Sequence, residues 1–187
     1  MKPKILMIDH YDSFTHNLMY YLKPYSPHII TIDEITSLTQ KTLQGYSHLV
    51  LSPGYGHPKD ASKTLRLLDK CYQDKKILGI CLGHQIIAHF FGSKISKLPQ
   101  PCHGKISKIN ILSGKLFTHL PSCFNIGRYH SLYVDKLAKN LHLCGATEDS
   151  TIMAFEHISL PIFGLQYHPE SVLSDFGYEV LEQFCML

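Results

Sequence analysis

The segment Lys76-Ile-Leu-Gly-Ile-Cys81-Leu-Gly-His-Gln85 restricts the possible folds more than any other part of the sequence. A short apolar run ends on a cysteine and passes at once into a helix-compatible stretch, so the chain must turn sharply from strand to helix at Cys81. Glycines stand two residues before and two after it, at 79 and 83. This is the small-x-nucleophile-x-small pattern of an elbow, in which the reactive residue occupies a strained turn and larger neighbours would clash. Unpaired N–H groups at the start of the following helix would favour the thiolate, the form that attacks carbonyl carbon. The pattern also fits a buried structural cysteine, so the rest of the chain must supply a base, an oxyanion hole and a pocket.

A chain of 187 residues with 44% hydrophobic content can bury one substantial core, and a single domain spanning 1–187 is expected. The formal net charge is only +3 and the lysines are scattered, which argues against nucleic acid and anionic membranes as partners. Ile5-Leu-Met-Ile8 is the only apolar run before Asp9, well short of a signal peptide's apolar region or the ~20 residues of a membrane span. A cytoplasmic location is expected. The six cysteines include no Cys-x-x-Cys pair and are read as reduced thiols. Cys102 and His103 are adjacent, but two ligands do not close a tetrahedral shell, so no metal site is expected in this chain.

In chain order, Lys4 to Ile8 is a strand, Asp9 to Ser13 a turn, and Ser13 the expected N-cap of a helix bearing Phe14, Leu18, Tyr21 and Leu22. Strands follow at His28 to Ile32 and Ser47 to Ser52, with residues 33 to 46 open between a short helix and a loop. Pro53-Gly-Tyr-Gly-His-Pro58 is expected to be irregular, and a helix from Ala61 to Gln73 leads to the Cys81 strand. This alternation predicts a doubly wound, mostly parallel sheet, with Asp9, Gly54 and Cys81 gathered beyond its strand ends, where such sheets bind ligands. After Gly92 the texture becomes antiparallel: Ile106 to Leu112, Phe124 to Ile126, Leu141 to Ala146 and Ile152 to Phe155. Ile162 to Gln166 is a buried strand ending near His168, and a helix from Asp175 to Met186 closes the chain.

A cysteine nucleophile needs a histidine to move its proton, and that histidine needs a group to orient it. Of thirteen histidines, His168 is singled out because it ends a buried strand two residues from Glu170, so an extended backbone would put both side chains on one face. His84, beside the elbow, is read as a helix residue rather than a competing base. The oxyanion of acyl transfer would be held by the N–H after the nucleophile, Leu82, and by Gly54 from the preceding strand's loop. That loop could equally be a plain tight turn. Gln85 lies one helical turn beyond Cys81 and either faces the same pocket or is an ordinary surface glutamine.

Together the motifs Gly-Ile-Cys81-Leu-Gly-His-Gln85 and Gln166-Tyr-His168-Pro-Glu170-Ser171 resemble those of the class I glutamine amidotransferases. Asp9-His-Tyr-Asp-Ser-Phe-Thr-His-Asn17, Ser52-Pro-Gly-Tyr-Gly-His-Pro58, His103-Gly-Lys105 and Arg128-Tyr-His-Ser-Leu132 are similar, more narrowly, to the small subunits of anthranilate synthase and aminodeoxychorismate synthase. The resemblance implies a flavodoxin-like, doubly wound, mostly parallel sheet with helices on both faces plus a smaller antiparallel sheet. It implies a Cys81-His168-Glu170 triad that hydrolyses glutamine through a glutamyl thioester. Glutamine would be held by Gly54, Gln85 and the backbone around Ser131 and Leu132. Ammonia would pass to a separate chorismate-using large subunit, where Mg²⁺ is expected, with no cofactor in this chain. Tyr55 departs from the family's Pro-Gly-Pro-Gly loop, and His10 and His16 stand where the family often has other residues. A stand-alone γ-glutamyl hydrolase or peptidase and a non-catalytic regulatory subunit are the competing readings.

Overall fold

The first strand is four apolar residues long before its first charge, and both of its faces are buried. Such a continuous run suits a parallel strand covered by helices on either side. In the computed structural model, which describes residues 2–187, this strand is β1 (Ile5–His10). It is followed by α1 (Thr15–Leu22), β2 (His28–Thr31), α2 (Gln40–Gln44), β3 (His48–Gly54), α3 (Ser62–Cys71), β4 (Lys76–Ile80) and α4 (Leu82–Phe90). Then come β5 (Lys94–Lys97), β6 (Lys105–Ile111), β7 (Cys123–Arg128), β8 (Leu132–Lys136), β9 (Leu141–Thr147), β10 (Ile152–His157), β11 (Ile162–Leu165) and α5 (Gly177–Met186).

Nine strands form one sheet in the order β2-β1-β3-β4-β11-β10-β9-β6-β7. The pairs from β2 through β11 are parallel, and those from β11 through β7 are antiparallel. The expected doubly wound sheet is therefore present, and its antiparallel component takes two forms. One is a wing continuous with the parallel strands; the other is a separate two-stranded sheet, β5-β8. The period of two along a strand sorts the core between the sheet's faces. Ile5, Met7, Leu78 and Ile80 pack with Leu18 and Leu22 of α1 and Leu181 and Phe184 of α5. Leu6, Ile8, Leu49, Leu51 and Ile77 pack with Leu67 and Leu68 of α3 and Ile86 and Ile87 of α4. Each fully buried aliphatic side chain contributes about 2 kcal/mol of transfer free energy.

Three local expectations are corrected. Ser13 does not cap α1: the N-cap position is Phe14, without a side-chain cap, and Asp12 shapes the turn before it, accepting from the Phe14 N–H at 2.8 Å through its carboxylate and from the Thr15 N–H at 3.1 Å through its carbonyl. The strand from 48 does not stop at Ser52 but runs through Pro53 to Gly54. It does so because the ladder with β1 passes from Ile8↔Leu51 to His10↔Gly54, a bulge that sets Ser52 and Pro53 against Asp9 alone. Pro53, which has no N–H to give, is tolerated at this bulge, where the His10 N–H leaves the ladder and donates to the Ser52 hydroxyl at 2.9 Å. Finally, β11 ends at Leu165 and His168 lies in a turn closed by Ser171 N–H to the His168 carbonyl at 3.1 Å, not in extended chain. The segment 33 to 46 resolves into a 3₁₀ turn at Glu34–Ser37 and the short α2, capped by Thr39.

Candidate active site

The elbow forms because its neighbours leave room for nothing but hydrogen. A Cβ on Gly79 would lie 2.3 Å from the Gly83 carbonyl oxygen, and one on Gly83 would lie 2.3 Å from that of Leu51. Strand β4, helix α4 and strand β3 are thus pressed together backbone to backbone. Cys81, between them, is forced to φ 51° and ψ −101°, a left-handed conformation that a side chain adopts only under constraint. Its N–H is tied to the Leu165 carbonyl of β11 at 2.8 Å. The residue is only 6% exposed, so the site is nearly closed to solvent.

His168 and Glu170 are buried together, with Nδ1 2.8 Å from the Glu170 Oε1. This bond places a proton on Nδ1 and turns Nε2, which makes no hydrogen bond of its own, toward proton exchange. Burial alone would push the His168 pKa down, but the proximity of Cys81 and then the bond and charge of Glu170 outweigh it and raise it to about 10. Imidazolium is the form this environment favours. The loop is braced from beneath by its carbonyl accepting from Ser174 Oγ at 2.6 Å and its N–H donating to Gly127 of β7 at 3.1 Å. Phe14 and Tyr129 close over the ring at centroid distances of 4.9 and 5.0 Å.

Gly54 and Leu82 are brought together: a Cβ on Gly54 would come within 2.7 Å of the Leu82 side chain and 2.6 Å of His10. As the first residue of α4, Leu82 has an N–H without an intrahelical acceptor. Leu82 also lines a cavity of about 320 Å³, together with His10, Tyr55, His57, Lys63 and Thr64. Tyr55 itself is exposed. His10, to which the sequence attached no role, is buried and holds Ser52 Oγ at 3.3 Å and Thr64 Oγ1 at 3.0 Å.

Gln85 is buried rather than on the surface, and its Nε2 donates to the Leu132 carbonyl at 2.9 Å and to Gln166 Oε1 at 3.0 Å. Gln166 Nε2 in turn donates to Cys81 Sγ at 3.8 Å. Gln166 is the contact that sequence reasoning passed over, although a fully buried amide just beyond a core strand was a signal for it. Ser131 is exposed and its carbonyl is taken by the Leu98 N–H at 2.8 Å, leaving its N–H and hydroxyl as its available donors. His84 is fully buried, packed at a tilt against Phe155 with ring centroids 4.6 Å apart and neither ring nitrogen hydrogen-bonded, and burial lowers its pKa to about 3. It lies in α4, as read from the sequence, and packs there. No group of three or more side chains suited to a metal occurs among the described residues, and no helix among them is long and apolar enough to cross a membrane.

The model of glutamine amidotransferase class-I matches residues 6–187. Anthranilate synthase component 2 of Lactococcus lactis is 41% identical over 184 residues, 96% of this chain and 92% of the relative. Aminodeoxychorismate synthase of Streptomyces pristinaespiralis is 36% identical over 97% of this chain, which covers 26% of that longer protein. Among solved structures, a glutamine amidotransferase from Thermotoga maritima superposes with a TM-score of 0.76 at 20% identity, covering 91% of this chain and 77% of the other, a likeness of fold.

Proposed function

The chain belongs to the class I glutamine amidotransferases, and on that premise we propose that it is the glutaminase subunit of a chorismate-aminating synthase, anthranilate or aminodeoxychorismate synthase. The observation that carries the reading is the buried His168–Glu170 pair, 2.8 Å apart, beside a cysteine held in an elbow. In this mechanism the Cys81 thiolate attacks the side-chain amide carbon of glutamine. The developing oxyanion is met by the N–H groups of Leu82 and Gly54. Protonated His168 gives its Nε2 proton to the departing nitrogen, which leaves as ammonia, and a glutamyl thioester remains. Neutral His168 then takes a proton from water as its oxygen attacks the thioester, and collapse releases glutamate and restores the thiolate. Glu170 keeps the ring oriented and its charge balanced throughout.

Substrate binding falls to Gly54, Gln85, Ser131 and Leu132. With both Nε2 protons of Gln85 spent on Leu132 and Gln166, its Oε1 is the acceptor left for the substrate's ammonium group. The free donors of Ser131 suit a carboxylate. Ammonia would then be used by a separate large subunit, which also supplies the Mg²⁺ that chorismate chemistry calls for, in the cytoplasm.

Cys81→Ala tests this directly in the assembled complex with chorismate. Glutamine-dependent amination should fall by at least about 10⁴-fold, the scale on which loss of a nucleophile acts, while amination from added ammonium salt persists. Survival of glutamine use in that variant would falsify the assignment. Pairing the chain in turn with each type of large subunit then identifies the product.

A further inference from the structure

The Arg128-Tyr-His-Ser-Leu132 segment holds more polar structure than binding by its backbone requires. Arg128 is 5% exposed at its side chain, and its only acid partner among the described residues, Asp149, is 3.7 Å away and mostly in solvent. The guanidinium also donates through Nη1 to Ser107 Oγ at 3.3 Å, and inside it meets His130: Arg128 Nε donates to His130 Nε2 at 3.1 Å. His130 Nδ1 lies 2.8 Å from the Leu132 carbonyl, the same oxygen that receives Gln85. From there bonds run through Gln85 to Gln166 and on to Cys81 Sγ. An unbroken line of hydrogen bonds thus links Arg128 to the sulfur.

We propose that Arg128 and His130 are positioning residues for glutamine: together they fix the Leu132 carbonyl and so set the orientation of the Gln85 and Gln166 amides at Cys81. This rests on the glutaminase reading above.

Hydrogen-bond polarity makes the case. A guanidinium only donates and a carbonyl only accepts. His130, between one of each, is confined to a single neutral tautomer with its proton on Nδ1. Burial, with the Arg128 charge acting in the same direction, lowers its pKa to about 4, so it stays neutral at working pH. The Leu132 carbonyl likewise admits only the amino end of the Gln85 amide. That leaves only the oxygen of Gln166 to face Gln85, so its own amino group faces sulfur. Each group along the line has one allowed orientation. Ser131 sits between the two residues that the line pins, His130 and Leu132. A histidine present only to fill space would need neither the arginine nor the shared carbonyl.

The test separates the binding of glutamine from the reactivity of the cysteine. Full-length His130→Ala, His130→Asn and Arg128→Gln are each treated with the glutamine-like electrophile 6-diazo-5-oxo-L-norleucine and, separately, with iodoacetamide, which needs no glutamine subsite. Losing one buried bond that leaves a partner unsatisfied predicts an about tenfold slower reaction of His130→Ala with the analogue. KM for glutamine should rise by a similar factor, with kcat and iodoacetamide labelling changed by less than about threefold. His130→Asn, whose amide nitrogen can stand where ring Nδ1 stands, should recover most of the loss. If His130→Ala does not fold, Arg128→Gln carries the test, with analogue labelling slowed about threefold. Wild-type rates with the analogue in the folded variants, equal losses with both reagents, or no recovery in His130→Asn would each overturn the proposal. Failure of the wild type itself to react with the analogue or to hydrolyse glutamine would instead overturn the glutaminase reading.

Discussion

The two walls of this active site are held by different forces. On the elbow side, β3, β4 and α4 touch backbone to backbone at Gly79 and Gly83, and Cys81 keeps a strained conformation because there is nowhere else for it to go. On the opposite side, Gln85, Gln166, Leu132, His130 and Arg128 are joined by directional hydrogen bonds between segments far apart in the chain. Close packing is unforgiving of volume and indifferent to polarity. A hydrogen-bonded line is the reverse: it tolerates isosteres and fails when a donor becomes an acceptor. The nucleophile's position is thereby coupled to the stability of the sheet, whereas substrate recognition can be altered with the fold intact.

Gly83→Ala should break the comparison most visibly. Its Cβ would sit 2.3 Å from the Leu51 carbonyl oxygen and 2.8 Å from the Leu51 Cβ, so strand and helix must part. Overpacking against backbone costs about 3 kcal/mol here, lowering Tm by roughly 10 °C, with glutaminase activity lost alongside it. Thermal unfolding against His130→Asn, expected to match wild type in Tm, makes the contrast. Equal Tm in Gly83→Ala and wild type would show the elbow to be looser than its geometry.

Glu170→Gln comes next. It keeps the volume and removes the charge that orients and stabilises the His168 imidazolium, so kcat with glutamine should fall by about 10³–10⁴-fold and Tm at neutral pH should fall with it. It should also change the pH dependence of stability. The His168 pKa is raised in the folded state, so its contribution is complete below the unfolded value of 6.5 and is lost as pH rises through about 10. Denaturant unfolding of wild type should therefore show a decline between pH 7 and 10 that is shallower in Glu170→Gln. Parallel profiles would mean that the pair does not carry the linkage.

The same division of forces explains how far the sequence could be read. The elbow and the His168–Glu170 pair are local patterns, visible because packing constraints fall on residues two positions apart. The parallel strands were legible as apolar runs. Strands β5 and β8 were not: Lys94–Lys97 and Leu132–Lys136 carry lysine and aspartate and bury little, so their apolar alternation is too short to stand out. The extension of β3 through Pro53 depended on a bulge that only the partner strand reveals. Gln85 was placed near the pocket, but its partner Gln166 is 81 positions away, and nothing in a one-dimensional pattern says which way an amide points. His130 stands out in the sequence only as part of the Arg128-to-Leu132 motif, because a tautomer is set by neighbours in space.

His84 offers the finest test, because it puts a polar group in the wall that packing is said to hold. Its ring lies behind the elbow against Phe155, and neither nitrogen is hydrogen-bonded. A leucine of similar volume should fill the site at neutral pH with stability within about 1 kcal/mol of wild type and unchanged glutaminase activity. Acid should separate the two. Burial lowers the His84 pKa to about 3, so its contribution is intact above pH 6.5 and is lost as pH falls toward 3. Down to pH 5 that linkage is worth about 2 kcal/mol, at 1.36 kcal/mol per pH unit. His84→Leu should keep this amount when urea midpoints at pH 7 and pH 5 are compared. If the variant instead loses activity at pH 7 while remaining folded, polarity would matter on the elbow side too, and the two walls would be less different than their contacts indicate.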